Sequence, residues 1–530
     1  MTDQNYKVLI TTSGVGQSLG DFTKHANQSL VRLSQKPILS HIVELYPKEI
    51  EIVVTLGYFG NLVKEFLALA HPDRKFTFIE VNKYQGPGSS QGYSMLCAKD
   101  SLQCPFIFHA GDTVVREPVI PPWNGNWCGG FKGEVNSNYA SFIELDDKIM
   151  AFSGKSSTDF DYLYIGLSGI KDFEKFWKIL QDSYSKNPDQ PLNDLEIYEE
   201  MIKAGSEFTP LEFKTWIDIG NIESLNRARK ILGEELVNLD KANEATYIFP
   251  DSVVKFMADG KSVEQRVARA RGGLIGLTPK LEGFTEHFYK YRFAAGRLYS
   301  RMVTPNDFES FLNWSEKNLW QASQAASSEQ FKQACLDFYK TKTLNRLEEF
   351  YNITGIVDAP LVINGQEVPA LAEIFKTLDF NWLSEGRQTG FHGDFILDNV
   401  IRTPDSFVLL DWRQSFGNLL NSGDMYYDLA KLNHNLTVNH DIIFKNLFTI
   451  KVRGTVITCD IMRSGNLVDC QKVLHRFILN KGLDLKKVKV LTAIAWLNMA
   501  PLHHHPYNFF LYYFGRLNLW KAIESANGTN

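Results

Sequence analysis

The sequence predicts an α/β protein of two successive domains, on three observations. Its first third alternates short apolar strand-like runs with segments carrying apolar residues at three- and four-residue spacing. Its middle holds two pairs of strand-like runs around one helical run, and from residue 305 onward the spacing turns helical. Regular strand and helix alternation implies a mostly parallel sheet with helices on both faces, whose ligands gather at the carboxyl ends of the strands. At 530 residues the chain has room for roughly two to four domains, each with a full core.

Taken in order, KVLITTSG (7–14) is an apolar strand running into the loop SGVGQSLG. There Gly14 and Gly16 let the main chain aim N–H groups at phosphate oxygens. KPILSHIVELY then reads as a helix, EIEIVVTLGY as a strand, FGNLVKEFLALAH as a helix and KFTFIEV as a strand. A second glycine and serine turn, GPGSSQGYSM (86–95), contains Gly88 and Ser89 and leads into a helix. CPFIFHAGDT (104–113) is a buried-looking strand that delivers Asp112 at its end. The strand-like KIMAFSGK ends at Lys155, ahead of YLYIGLSGI, and FKTWIDIGNIESLNRARKIL sets Asp218 between Trp216 and Gly220 just before a helix. SLNRARKILGEEL (224–236) closes the first domain, and VNLDKANEAT is a polar connector.

ATYIFPDSVVKFM (245–257) reads as two strands, with Lys255 in a V-V-K-F context. The helical SVEQRVARARGGL follows; its Glu264 is the carboxylate best able to orient Lys255, unless the charges of this helix form a solvated face. PKLEGFTEHFYKYRFAAG (279–296) gives two more strands and ends at a hinge, Gly296. NDFESFLNWSEKNLW, SEQFKQACLDFYKTKTLNRLEEFY and PALAEIFKTLDFNWLSEG all read as helices. The stretch FHGDFILDNVIRTPDSFVLLDW (391–412) places His392, Asp394 and Asn399 as H-G-D-x-x-x-x-N, with Asp411 twelve residues after Asn399 at the end of an apolar run. In a phosphotransferase one carboxylate meets the substrate hydroxyl, while a carboxamide and a second carboxylate hold Mg²⁺. Asp424 and Asp428, ahead of and within the next helical run, read as caps or loop anchors rather than catalytic groups. Trp412 either packs or faces an acceptor as part of an aromatic cage. The run His503, His504, His505 reads as structural or surface, because neighbours on a helix point in different directions.

Net charge is −5 with a pI near 6.2, which lacks the basic footprint of a nucleic-acid binder. The amino terminus has no signal-peptide pattern, and no run approaches the roughly eighteen apolar residues of a membrane span. The expectation is a cytoplasmic protein with no nucleic-acid or membrane partner. Its six scattered cysteines, without a C-x-x-C pair, suit reduced structural thiols.

The 391–412 segment resembles the catalytic loop and metal aspartate of the aminoglycoside phosphotransferase and choline kinase family. That resemblance implies a bilobal, protein-kinase-like fold with Asp394 as catalytic base, Asn399 and Asp411 as Mg²⁺ ligands and His392 shaping the loop. It also implies that Lys255 pairs with the α- and β-phosphates of ATP. Residues 6 to about 232 resemble the nucleotidyltransferases that condense a nucleoside triphosphate with a sugar 1-phosphate or phosphocholine. This second resemblance implies a Rossmann-like fold, Asp112 and Asp218 as Mg²⁺ ligands, Gly88 and Ser89 near the base, and Lys155 at the acceptor phosphate. Taken one at a time these residues have plainer readings: a cap for each aspartate and a surface site for Lys155.

One departure stands out. Such nucleotidyltransferases read G-x-G-x-R-L in the first loop and P-K-x-L after it, whereas Ser18 and Gln28 stand here at the two cation positions. Lys24, Arg32 and Lys36 are the nearest substitutes in sequence. The resemblances together imply a nucleotidyltransferase domain over 1–236 and a kinase-like domain over 237–530, with a small lobe at about 244–298 and a large lobe at about 299–530. They imply a bifunctional enzyme. It would phosphorylate a small hydroxyl-bearing acceptor with ATP, then couple that phosphate to CTP, UTP or another triphosphate, for surface polysaccharide or lipid decoration. The alternatives are an active kinase whose first domain binds nucleotide or sugar phosphate without turnover, and a kinase acting on proteins or antibiotics.

Overall fold

The structure is a computed structural model that describes residues 5–133, 139–155, 157–232 and 242–524. The first half of the connector VNLDKANEAT, and the end of the helical run before it, lie outside these residues. The chain forms two compact units, Met1–Gly260 with Glu282–Tyr291, and Lys261–Leu281 with Arg292–Asn530.

The first unit is organised on a nine-stranded sheet. Strands Phe106–Ala110, Lys7–Thr11, Ile52–Leu56 and Phe76–Glu80 are parallel neighbours. Tyr162–Ile170 lies antiparallel beside Phe106–Ala110 and carries Asn126–Phe131 and Ser141–Leu145 as further antiparallel partners. The sheet is therefore mixed, not mostly parallel as the strand and helix alternation predicts. Among the described residues between Ala110 and Tyr162 the chain runs through strands with no helix, and the helical crossovers that parallel neighbours use are not seen there. Asp146 and Asp147, with φ of 52° and 59°, form the two-residue turn joining Ser141–Leu145 to Lys148–Ser153.

Both faces of the sheet are covered, which is why its central strands read as continuous apolar runs. On one face Val8 and Ile10 pack with Leu39, Ile42, Leu62 and Phe66 from helices Ile38–Val43 and Gly60–Ala70. On the other, Leu9 and Val53 pack with Met95, Phe176, Trp177 and Tyr198 from helices Gln91–Cys97, Phe173–Lys186 and Asp194–Lys203.

A four-stranded sheet follows, in the order Glu244–Ile248, Ser252–Met257, Phe288–Arg292, Leu281–Phe284. Its apolar side chains Tyr247, Val254, Phe256 and Phe288 belong to the same core as Phe66. Tyr247 and Phe288 stand 5.3 and 6.0 Å from the Phe66 ring, and the Tyr247 hydroxyl donates to Leu30 O at 2.7 Å. The strands counted with the second domain thus fall almost wholly in the first unit, and the unit boundary lies at Gly260 rather than near residue 236.

The second unit is mainly helical, built on Pro305–Asn318, Ser328–Leu336, Lys342–Thr354, Met425–Thr437, Gly465–Asn480, Leu485–Met499 and Tyr507–Glu524. Met425–Thr437 is buried on almost every side. The expectation of helix throughout needs two corrections. Leu361–Ile363, Gln366–Val368, Phe448–Arg453 and Val456–Ile461 form a four-stranded sheet. Its first hairpin turns at Asn364 and Gly365, with φ of 49° and 78°, a turn that Asn-Gly favours strongly. PALAEIFKTLDFNWLSEG is also two helices, Leu371–Thr377 and Phe380–Ser384, the second capped by Asp379. His503, His504 and His505 lie between helical segments rather than on one. The six cysteines are free thiols, and no described helix is long and apolar enough to cross a membrane.

Strand Tyr162–Ile170 joins the parallel and antiparallel parts of the sheet, and at Gly169 a Cβ would stand 2.1 Å from the buried Trp127 Nε1. Gly169→Ala is expected to cost about 1–3 kcal/mol, read as a lower urea midpoint of the transition that reports on Trp127.

Candidate active sites

In the first unit the sequence-predicted aspartates come together. Thr113–Val115 pairs antiparallel with Trp216–Asp218, setting Asp218 opposite Thr113. Ile219 N donates to Asp112 O at 3.0 Å. A Cβ at Gly220 would meet Asp218 Oδ1 at 3.3 Å and Asp112 Oδ2 at 3.5 Å, so both carboxylates converge on the space a glycine leaves open. Gly220 N and the Tyr139 hydroxyl donate to Asp218, at 3.3 and 2.8 Å. Burial, and next the charge of Asp218, push the Asp112 carboxyl up to about 6, while the Lys155 ammonium pulls it back. Lys155 is exposed, just past strand Lys148–Ser153, and faces Asp112 electrostatically. Two close carboxylates, one with a raised proton affinity, are the donor set that a hard divalent cation satisfies. Asp112 and Asp218 therefore fit Mg²⁺.

The glycine loops frame this pair. Gly16 has φ of 65°, and a Cβ there would stand 2.8 Å from Gln28 Cβ and Oε1. Gln28 Nε2 lies 3.5 Å from the Cβ position of Gly14. The Gln28 amide thus packs along the loop at one missing-cation position. At the other, Ser18 Oγ donates to Gly220 O at 2.5 Å, tying the loop to the aspartates. Of the nearby cations, Lys36 pairs with Glu44 at 2.6 Å, Arg32 is half-buried and Lys24 is exposed. Gly88, φ 79°, would place a Cβ 2.7 Å from Pro188 O, so only glycine fits. Ser89 Oγ donates to Gly86 O at 2.8 Å, and Ser90 caps helix Gln91–Cys97. Ser94 on that helix bonds Ser13 at 2.7 Å, which links the two loops.

The second unit assembles the other predicted group. His392 is buried; its Nε2 donates to Leu410 O at 2.8 Å and its Nδ1 accepts from Asp394 N at 3.2 Å, which fixes its tautomer. Burial holds this ring neutral, near 4. Asn399 Nδ2 donates to Asp394 O at 2.9 Å and to Asp394 Oδ2 at 3.2 Å. Leu410 N donates to Asn399 O at 2.8 Å, so Asp411 follows one residue beyond a fixed point on the same hairpin. Asp411 has φ of 53°, and Arg266 Nη1 lies 3.7 Å from its Oδ1. An amide and a carboxylate on one hairpin fit Mg²⁺ as the sequence pattern implies.

Two side chains clamp the loop from behind. Asp428, fully buried, accepts from His392 N and Gly393 N at 2.8 Å each and from Trp320 Nε1 at 3.2 Å, the anchoring role its position suggests. Asp424 caps helix Met425–Thr437. Arg269, buried over the Phe391 ring, donates to the carbonyls of Phe391, His392 and Arg413. Arg269 and Arg266 are what helix Gly260–Arg271 gives this site, whereas Glu264 stands on its exposed face. Lys255 is buried on strand Ser252–Met257 of the first unit, opposite Thr246. Trp412 packs: its indole is buried and donates to Arg266 O at 2.9 Å, which removes the aromatic-cage alternative.

Asp394 meets a cation that the sequence reading did not single out, Lys431 Nζ at 2.8 Å. Burial alone would raise the Asp394 carboxyl; Lys431, with Arg413 adding, overrides it and holds the group well below the usual carboxylate range. Lys342 is pulled down to about 6 by burial and by Arg413, Arg346 and Lys431. The signal for Lys431 was its spacing: three residues after Asp428, it shares that residue's face of the helix.

No family model matches the chain. Among curated proteins it is similar to the bifunctional IPC transferase and DIPP synthase of Archaeoglobus fulgidus, 24% identical over 239 residues, or 43% of this chain and 44% of that protein. It is also similar to the bifunctional protein GlmU of Methanocaldococcus jannaschii, 24% identical over 241 residues, or 44% of this chain and 55% of that one. The chain thus spans about half the length of the curated relatives it matches. The similarity falls on the nucleotidyltransferase-like amino-terminal part, about 43% of the chain. Among solved structures, the CTP:phosphocholine cytidylyltransferase of Streptococcus pneumoniae matches at 18% identity and a TM-score of 0.38, over 43% of this chain and 99% of that one. The inositol-1-phosphate CTP transferase of T. maritima matches at 14% identity and a TM-score of 0.34, over 43% and 98%.

Two outcomes follow from the electrostatics. Between the ordinary carboxylate range and about pH 6 the folded chain keeps a proton on Asp112 that the unfolded chain has lost, so this group's contribution to stability falls as pH rises through that window. Metal-free Asp112→Asn should therefore melt at or above the unsubstituted protein at about pH 8, with the gap narrowing near pH 5, and the rise in Tm that Mg²⁺ gives should be smaller in Asp112→Asn than in the unsubstituted protein. Asp428→Ala removes three bonds and exposes Arg269 as an unbalanced buried charge. It should cost on the order of 3 kcal/mol, measured by urea unfolding.

Proposed function

We propose that the chain is a bifunctional transferase: a nucleotidyltransferase built on Asp112 and Asp218, and a small-molecule kinase built on Asp394, Asn399 and Asp411. The observation that carries the first activity is the convergence of two carboxylates at Gly220 between two glycine loops. In this reading Asp112 and Asp218 hold Mg²⁺, Lys155 receives the acceptor's phosphate, and the loops around Gly14, Gly16, Gly88 and Ser89 receive CTP, UTP or a related triphosphate. The bound metal would offset charge on the attacking and α-phosphates. The acceptor phosphate displaces pyrophosphate from the α-phosphorus, leaving an activated diphosphate. The Archaeoglobus relative, by its name, joins a transferase and a synthase in one protein, and the match covers 44% of it.

The kinase reading rests on the buttressed loop. Asp394 stays ionised and takes the acceptor hydroxyl's proton as the hydroxyl oxygen bonds the γ-phosphorus of ATP and the bond from that phosphorus to ADP breaks, releasing ADP. Asn399 and Asp411 would hold Mg²⁺, which would offset the charge of the nucleotide phosphates. His392 and Asp428 fix the loop's amides so that no reorganisation is needed at reaction. The product phosphate is the group the first site consumes, so the two reactions are consecutive steps toward an activated building block.

A second reading has its own observation. Gln28 packed on Gly16, and Ser18 bonded to Gly220, leave the triphosphate cradle without the two cations of similar enzymes. On that reading the first unit binds nucleotide or sugar phosphate and does not turn it over. Pyrophosphate release separates the two: purified chain is given each of four triphosphates, Mg²⁺ and a panel of phosphorylated sugars, polyols and amino alcohols. The enzyme reading expects release that Asp112→Asn and Asp218→Asn abolish; no release from any combination favours the binding module. Asp394→Asn should lower ADP formation by about 10²–10⁴-fold while leaving pyrophosphate release from a pre-phosphorylated acceptor unchanged.

A further inference from the structure

Around Asp394 the second unit gathers more positive charge than it uses. Four cations influence this region: Lys431, Arg346, Lys342 and Arg413. Lys431 is matched by Asp394 at 2.8 Å, and Arg346 by Glu349 at 2.7 Å. Among the described residues, no carboxylate lies within ion-pair distance of Lys342 or Arg413, which act on Asp394 only at longer range while Lys431 holds it directly. Instead both stand over one aromatic ring, Phe338, with Lys342 Nζ at 4.1 Å and the Arg413 guanidinium carbon at 5.0 Å from its centre. Burial, and next the repulsion from Arg413 over the same ring, pull the Lys342 ammonium down to about 6, so an anion arriving there would also restore its proton.

The platform is fixed in place. Phe338 lies in the single π-helical turn Asp337–Thr341, wedged between helices Ser328–Leu336 and Lys342–Thr354. Such one-turn insertions recur at functional sites. Its ring stacks on Phe416 at 4.7 Å and meets Tyr427 edge-on at 4.9 Å. Arg413 is fixed at its root: its N donates to His392 O at 3.0 Å, and its Cβ stands 2.6 Å from where a Cβ on Gly393 would be. The guanidinium therefore starts from the backbone that carries Asp394.

We propose that the acceptor phosphorylated in this unit carries an anionic group, a phosphate or a carboxylate, beside its reacting hydroxyl, and that Arg413 and Lys342 bind it. The inference rests on the kinase reading and narrows it. An anion over Phe338 supplies the missing counter-charge for both cations and holds the rest of the acceptor next to Asp394. An amino alcohol or amino sugar would bring a further positive charge to a place that already repels one.

The test is ADP formation by the full chain with Mg²⁺ and ATP across acceptors matched in skeleton: glycerol, glycerol 3-phosphate, glycerate and 3-aminopropane-1,2-diol, with a hexose, its 6-phosphate, its uronate and its amino form. Anionic members are expected to be preferred by at least tenfold in kcat/KM. Lys342→Gln should raise KM for those acceptors with kcat and KM for ATP little changed, Arg413→Gln should raise the same KM, and Arg413→Lys and Lys342→Arg should retain the preference. Turnover that favours neutral or amine-bearing members overturns the inference and leaves the kinase reading standing. A rise in KM for ATP instead of the acceptor also overturns it, because the two cations would then serve the donor. If no anionic member stimulates ADP formation the inference falls, and a calorimetric titration with Mg·ATP shows whether the kinase reading falls with it.

Discussion

Two carboxylates repel, and the first unit is built so that Asp112 and Asp218 meet all the same. Antiparallel pairing of two three-residue strands sets their backbones side by side, and the glycine at 220 leaves the space into which both side chains project. The cost shows in the raised proton affinity of Asp112. A fold stabilised by only about 5–15 kcal/mol overall keeps such a repulsion where something outside the chain relieves it. The sheet beneath supplies the rigidity: strand Phe106–Ala110, which leads to Asp112, is buried on both faces and paired on both edges.

The second unit solves the opposite problem. Asp394, the base of the proposed kinase, is half-buried, and Lys431 holds it ionised. The loop that carries the base is held from behind by Asp428, which accepts its amides, and by Arg269, which donates to its carbonyls. A buried ion pair used this way does little for net stability and much for geometry, since losing either partner strands the other charge.

Much of this was legible in the sequence because the decisive positions are local. The H-G-D-x-x-x-x-N run leads straight into the hairpin Val400–Arg402 and Phe407–Leu409, which Asp411 follows, so sequence spacing carries much of their geometry. Asp112 and Asp218 were legible as a pair only through the order of the pieces around them, because more than a hundred residues separate them. The mixed character of the sheet was missed: its antiparallel strands are joined by turns such as Asp146–Asp147, and a two-residue turn leaves a fainter trace than a helix. The hairpin at Asn364–Gly365 was missed although Asn-Gly between apolar runs is a strong signal, because flanking helical spacing hid three-residue strands. Arg269 and Lys431 look like surface charges in their helical runs, and only tertiary burial reveals that they face inward. The continuity of the small sheet with the core around Phe66 likewise depends on contacts nearly two hundred residues apart.

The claim most exposed to test is that Asp112 and Asp218 share one metal ion. Crystals of the full chain grown with Mn²⁺ and a non-hydrolysable CTP analogue, measured at the manganese absorption edge, would locate it by anomalous scattering. The account predicts a peak bonded to both carboxylates beside Gly220, at about 2.2 Å from each oxygen. Nucleotide seated between the glycine loops with no peak there, or a peak touching only one of the two aspartates, would contradict it.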